Sequence, residues 1–206
     1  RGNNAENRDT SDAPLWFFVA CDEFVTTSGD AVFLENRCGR RTIREILVSI
    51  AESYMAGTPN GIRMDGRSGL IFSPAHFTWM DTNYPAATPR MGYPVEIQAL
   101  WHYALRFLSR IDINSRRSRW GETADKVGHA LSSLFYRKKD GFLSDCLHAD
   151  IGVRAADAAP DDALRSNQLY AVTLGAVIDS DMVRNIVHSC EALIVPGAIR
   201  SLADRP

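Results

Sequence analysis

The sequence predicts an all-α fold whose strands are confined to short hairpins in the loops. Two observations carry this. Stretches 42–55, 94–112 and 179–194 repeat their apolar residues at the spacing of one helix face. Nowhere do buried strands alternate with helices, as a parallel α/β domain requires. At 206 residues the chain is read as one domain or a large piece of one.

Residues 1–11 read as loosely structured. Ser11 or Asp12 then caps a helix with Pro14 in its first turn, and Leu15, Trp16, Phe17, Val19, Ala20, Phe24 and Val25 give it a wide apolar surface. Ser28–Gly29–Asp30 ends it. Ala31 to Asn36 reads as a short helical turn, and Cys38–Gly39 as a break. Thr42 with Glu45 three residues on forms a capping-box pattern, followed by Ile43, Ile46, Leu47, Ile50, Ala51 and Tyr54 at helix spacing. The glycines at 61, 66 and 69, with the Asp65–Gly66 pair, predict a hairpin.

Pro94 starts a long helix whose core stripe is Ile97, Leu100, Trp101, Ala104, Leu105, Leu108 and Ile111. A further helix is expected over 119–136, after a basic turn at 115–118. The FLSDCLH run reads as extended, 150–163 as an exposed loop, and 166–177 and 179–194 as two more helices. Pro196–Gly197 ends the last of them.

Composition narrows the function classes. The net charge of −2 gives no basic excess for nucleic acid, and no apolar run approaches the roughly 20 residues of a membrane span. The polar N-terminus, RGNNAENRDTSD, lacks the apolar core of a signal peptide. Cysteines 21, 38, 146 and 190 stand far apart without a CxxC, which favours free thiols in a reducing cytoplasm over a zinc site or bridges. Histidines 76, 102, 129, 148 and 188 show no ligand spacing, and no glycine pattern cradles phosphate, so no metal and no cofactor is expected.

The chemistry concentrates in FTWMDTNYPAATPRMGYPVEIQALWHYALRFL, residues 77–108. In TWMD an extended backbone puts Trp79 and Asp81 on one side. An indole there can cover a sugar face and raise the carboxyl pKa as a general acid requires. By spacing alone, Asp81 reads first as the cap of a turn through Thr82 and Asn83. Arg90, held among prolines, reads as a substrate clamp or a surface ion pair. Glu96 reads as a site carboxylate or a first-turn acid favoured by the helix dipole. Asp12 and Trp16 repeat the carboxylate–aromatic pairing at i, i+4, and Asn167–Gln168 opens a later helix.

TSDAPLWF, TWMDTNYPAATPRMGYPVEIQALWHYAL, SNQLYAV and VPGAIRSLADRP, in this order, resemble the C-terminal glucosidase domain of glycogen debranching enzymes, the amylo-α-1,6-glucosidase family. The middle motif is long and specific. The resemblance implies an (α/α)6 toroid of helical hairpins, of which residues 1–206 would be a central segment, with the remaining parts of the barrel as its partners. It implies inverting hydrolysis of α-1,6-linked glucose from glycogen or a limit dextrin. Asp81 would be the acid, and Asp12, Trp16, Trp79, Arg90, Glu96, Asn167 and Gln168 would line the glucose pocket. The general base is expected outside the segment. A trehalase-like toroid hydrolase and a non-catalytic carbohydrate-binding fragment are the competing readings.

Overall fold

A computed structural model of the chain describes residues 8–80, 89–114 and 117–204. Helix α1 spans Ala13–Ser28, followed by a 3-10 turn at Ala31–Glu35 and the hairpin β1 (Arg37–Cys38) and β2 (Arg41–Thr42). Helix α2 is Ile43–Ala56. The hairpin β3 (Arg63–Met64) and β4 (Ile71–Phe72) comes next, then β5 (Gly92–Pro94), α3 (Val95–Ile111) and α4 (Arg117–Ala130). Helix α4 runs into a π-helical turn, Leu131–Phe135. Strands β6 (Tyr136–Arg137), β7 (Phe142–Leu143), β8 (Cys146–His148) and β9 (Ala159–Pro160) precede the short helix α5 (Leu169–Thr173). Helix α6 (Ser180–Cys190) and the hairpin β10 (Ile194–Val195) and β11 (Ala198–Ile199) complete the order.

The all-α expectation is corrected by this inventory. Helix accounts for 51% of the structure and strand for 13%, in several small antiparallel sheets, so the chain is not clearly a segment of an (α/α)6 toroid. Strands of two or three residues are too short to display the period-2 alternation that marks a strand in sequence. Tight turns make them instead. Gly39, Gly141 and Gly197 take positive φ of 65°, 76° and 77° between paired strands, where the sequence shows only breaks. Strands β5, β8 and β9 form a sheet across distant sequence, with Gly92 opposite His148 and Leu147 opposite Pro160. Gly92 is irreplaceable here: its φ is 126°, and an added Cβ would lie 2.2 Å from the Leu147 carbonyl oxygen.

Helix α3 is the centre of the core. Twelve of its seventeen residues are buried, and it packs against α1, α2, α4 and α5. A helix covered on nearly all sides needs partners for its polar groups. Gln98 supplies one set, accepting from Ile71 N at 2.7 Å and donating to the Ile71 and Pro94 carbonyls at 2.9 and 3.0 Å. Trp101 donates to the Gly69 carbonyl at 3.0 Å. Both bonds dock the β3–β4 hairpin on the helix. The capping box opening α2 is complete: Glu45 N donates to the Thr42 hydroxyl, and Thr42 N to the Glu45 carboxylate.

His102 is a buried titratable group in the middle of α3. Arg106 Nε donates to its Nε2 at 3.4 Å. Burial, reinforced by the Arg106 charge, pulls its pKa down to about 4. The neutral ring therefore stabilises the fold above the ordinary histidine pKa, and that contribution is lost as pH falls from about 6.5 towards 4. The full loss is on the order of 3 kcal/mol. Urea midpoints for wild type and His102→Gln over this range should converge on acidification; equal pH slopes would show that His102 does not carry the effect.

Candidate active site

The site is assembled from four distant segments. Its first is the start of α1. Asp12 occupies the N-cap position, yet its side chain makes no cap bond. Thr10 takes that role, its hydroxyl accepting from Ala13 N at 3.2 Å and donating to Asp12 Oδ1 at 2.6 Å. Trp16, one turn on, is 38% exposed and meets the Tyr170 ring edge-on, with centroids 5.4 Å apart. The second segment is Thr78–Met80, the third the first turn of α3 with Glu96, and the fourth Ser166–Thr173.

Together with Ile199 of β11 they enclose a cavity of about 440 Å³, lined by Asp12, Trp16, Trp79, Glu96, Asn167 and Tyr170, with Ser166, Leu169 and Thr173 completing the wall. That volume lies within the roughly 300–1,000 Å³ of small-molecule sites. A smaller cleft of about 170 Å³, between Arg63, Asp65 and Arg154, shares none of these residues. Aromatic faces with a few polar groups between them suit a pyranose, which presents C–H faces and hydroxyl edges.

Arg90 and Gln168, both expected at the substrate, stand behind the wall. Gln168 is buried, accepting from Leu143 N at 2.9 Å and donating to the Arg165 carbonyl at 3.0 Å. Arg90 is 1% exposed and has a φ of 46°, in the left-handed region. It donates to both Glu96 oxygens at 2.6 Å, and to the Thr78 hydroxyl and the Asp145 carbonyl at 3.2 Å. Its Nε lies 2.7 Å from Asp145 Oδ2, and Arg165 Nε lies 3.3 Å from the same oxygen. Neither approach has hydrogen-bond direction, so both are charge contacts. Burial alone would lower the Arg90 pKa, but Glu96 and Asp145 overcome it and push it up.

Asp145, behind the wall, and Tyr170, on it, were not singled out in the sequence. Asp145 is 1% exposed, between β7 and β8; its carbonyl accepts from Val95 N, the first donor of α3, at 2.9 Å. Burial, with the Glu96 charge, raises its pKa to about 6 against the pull of Arg90, Asn167 and Arg165. The available signal was a carboxylate set inside the apolar run FLSDCL. The adjacent Cys146 thiol is pushed up by burial, which removes it as a nucleophile. Asp81, the expected acid, lies outside the described residues.

Among the described residues no group of three or more His, Cys, Asp or Glu is placed to hold a metal ion, and no helix is long and apolar enough to cross a membrane.

A family profile described as amylo-alpha-1,6-glucosidase matches residues 2–205. No curated protein matches the chain. Among solved structures, a GH78 family rhamnosidase of Bacillus sp. GL1 superposes with a TM-score of 0.55 at 14% identity, over 85% of this chain. The chain spans 17% of the length of that rhamnosidase, and at this identity the likeness is one of fold alone.

Proposed function

This chain belongs to the amylo-alpha-1,6-glucosidase family, and from that premise we propose that it carries the glucose-binding face of a glycoside hydrolase acting on α-1,6 branch linkages of glycogen or a related α-glucan. The observation that carries the reading is the convergence of Asp12, Trp16, Trp79, Glu96 and Asn167 on one cavity. In this reading the two indoles border the sugar ring. Glu96 gives one lone pair of each oxygen to Arg90 and keeps the others for hydroxyls. Asp12 offers a second acceptor edge.

Asp81 is the general acid in this account, protonating the leaving oxygen. It follows Met80, whose Sδ lies 3.6 Å from Asn167 Nδ2 at the cavity. The mechanism is inverting, with the base facing the acid across room for one water. Glu96 binds Arg90 through both oxygens and Asp12 serves the substrate, so neither is assigned as the base. In this reading the chain is part of one catalytic domain of a cytoplasmic enzyme.

Proton NMR of the full-length protein acting on a branched α-glucan tests this. Released glucose should appear first as the β-anomer and then mutarotate. First appearance of the α-anomer would exclude the inverting mechanism, and no glucose release would exclude the activity.

A further inference from the structure

The wall of the cavity is tied to the buried ion cluster by a chain of two hydrogen bonds. Asn167 Nδ2 donates to Asp145 Oδ1 at 2.7 Å, and Trp79 Nε1 donates to Asn167 Oδ1 at 3.1 Å. Asn167 is 3% exposed and Asp145 1%, whereas Trp79 is 52% exposed. An indole so open to solvent has little packing to fix it, so its N–H bond matters to its orientation.

We infer that Asp145 is a positioning residue that fixes the Asn167 amide and, through it, the Trp79 indole at the cavity wall. The chemistry is directional. An ionised carboxylate only accepts, so it takes the amide NH2 and leaves the amide oxygen facing outward. Indole N–H only donates, so it needs that oxygen. Arg90 Nε at 2.7 Å and Arg165 Nε at 3.3 Å stand beside the other carboxylate oxygen as charge contacts that favour its ionised form.

The assignment makes an isosteric substitution informative. In Asp145→Asn the new amide must turn its oxygen to the two guanidinium groups and its NH2 to Asn167. Asn167 then flips to accept, and its own NH2 meets the indole N–H, donor against donor. Trp79 is released although nothing has changed in size. The effect on catalysis rests on reading the cavity as the glucoside site; the effect on Trp79 does not.

Fluorescence separates the two. Of the four tryptophans, Trp101 and Trp120 are fully buried, so in a Trp16→Phe background Trp79 is the exposed one. Time-resolved anisotropy of this protein with Asp145→Asn should show fast local motion absent from its parent. In the full-length enzyme Asp145→Asn should raise KM for a branched α-1,6-glucoside about three- to tenfold, the worth of one hydrogen bond, with kcat unchanged. In a Trp79→Phe background, where no indole N–H exists, it should change KM no further. If Asp145→Asn folds and Trp79 stays as rigid as in the parent, the assignment is wrong.

Should that variant not fold, the wild type supplies the measurement. The Asn167 side-chain NH2 must exchange slowly with deuterium, and fast exchange overturns the link. A freed Trp79 in a protein that releases no glucose would support the positioning role while removing the proposed function.

Discussion

Arg90→Met lowers the unfolding free energy by about 3–5 kcal/mol, the usual cost of removing one member of a buried ion pair. The reason lies in what stays behind. Glu96 is 2% exposed and Asp145 1%, so neither carboxylate regains water when the guanidinium goes. Glu96 loses both of its 2.6 Å bonds, and Asp145 keeps the Asn167 amide but only the more distant Arg165 as a cation. Methionine inherits the same positive φ, so backbone strain cancels in the comparison. Arg90→Lys keeps the charge but cannot make two parallel bonds, and should fall between the two. Restoring neutrality with Arg90→Met and Glu96→Gln together should recover part of the loss. Urea unfolding monitored by circular dichroism measures all three. A change under about 0.5 kcal/mol for Arg90→Met, the range of ordinary surface substitutions, would contradict the cluster.

What was legible in the sequence was local. The Thr42–Glu45 box, the core stripe of α3 and the β3–β4 turn glycines are set by residues within a few positions of one another. The run 142–148 read as extended and carries β7 and β8, but the sheet of β5, β8 and β9 was not legible, because it is chosen by tertiary pairing and not by pattern. The same division runs through the site. Asp12, Trp16, Trp79, Glu96 and Asn167 were conspicuous through motif resemblance, and the structure places all five on one cavity. The partners of Arg90 were not visible from spacing, since Asp145 lies 55 residues away. Nor were those of Gln168, which are backbone groups. Asp145 itself belongs to no motif; only its burial in an apolar run marks it.

The largest functional effect is expected at Asp81. Asp81→Asn preserves shape and removes the proton, so in the full-length enzyme it should lower turnover on a branched α-1,6-glucoside on the order of 10²–10⁴-fold, the usual contribution of a positioned acid. On the proposed function binding should change little, because Trp16, Trp79, Asp12 and Glu96 still line the cavity. The leaving group decides the interpretation. A sugar hydroxyl leaves poorly unless it is protonated, whereas fluoride needs little help. The most direct measurement is therefore kcat of wild type and Asp81→Asn on the branched glucoside and on α-glucosyl fluoride, side by side. The account predicts a loss of about 10²-fold or more on the glucoside with most of the fluoride rate retained; wild-type rates on both substrates would contradict it.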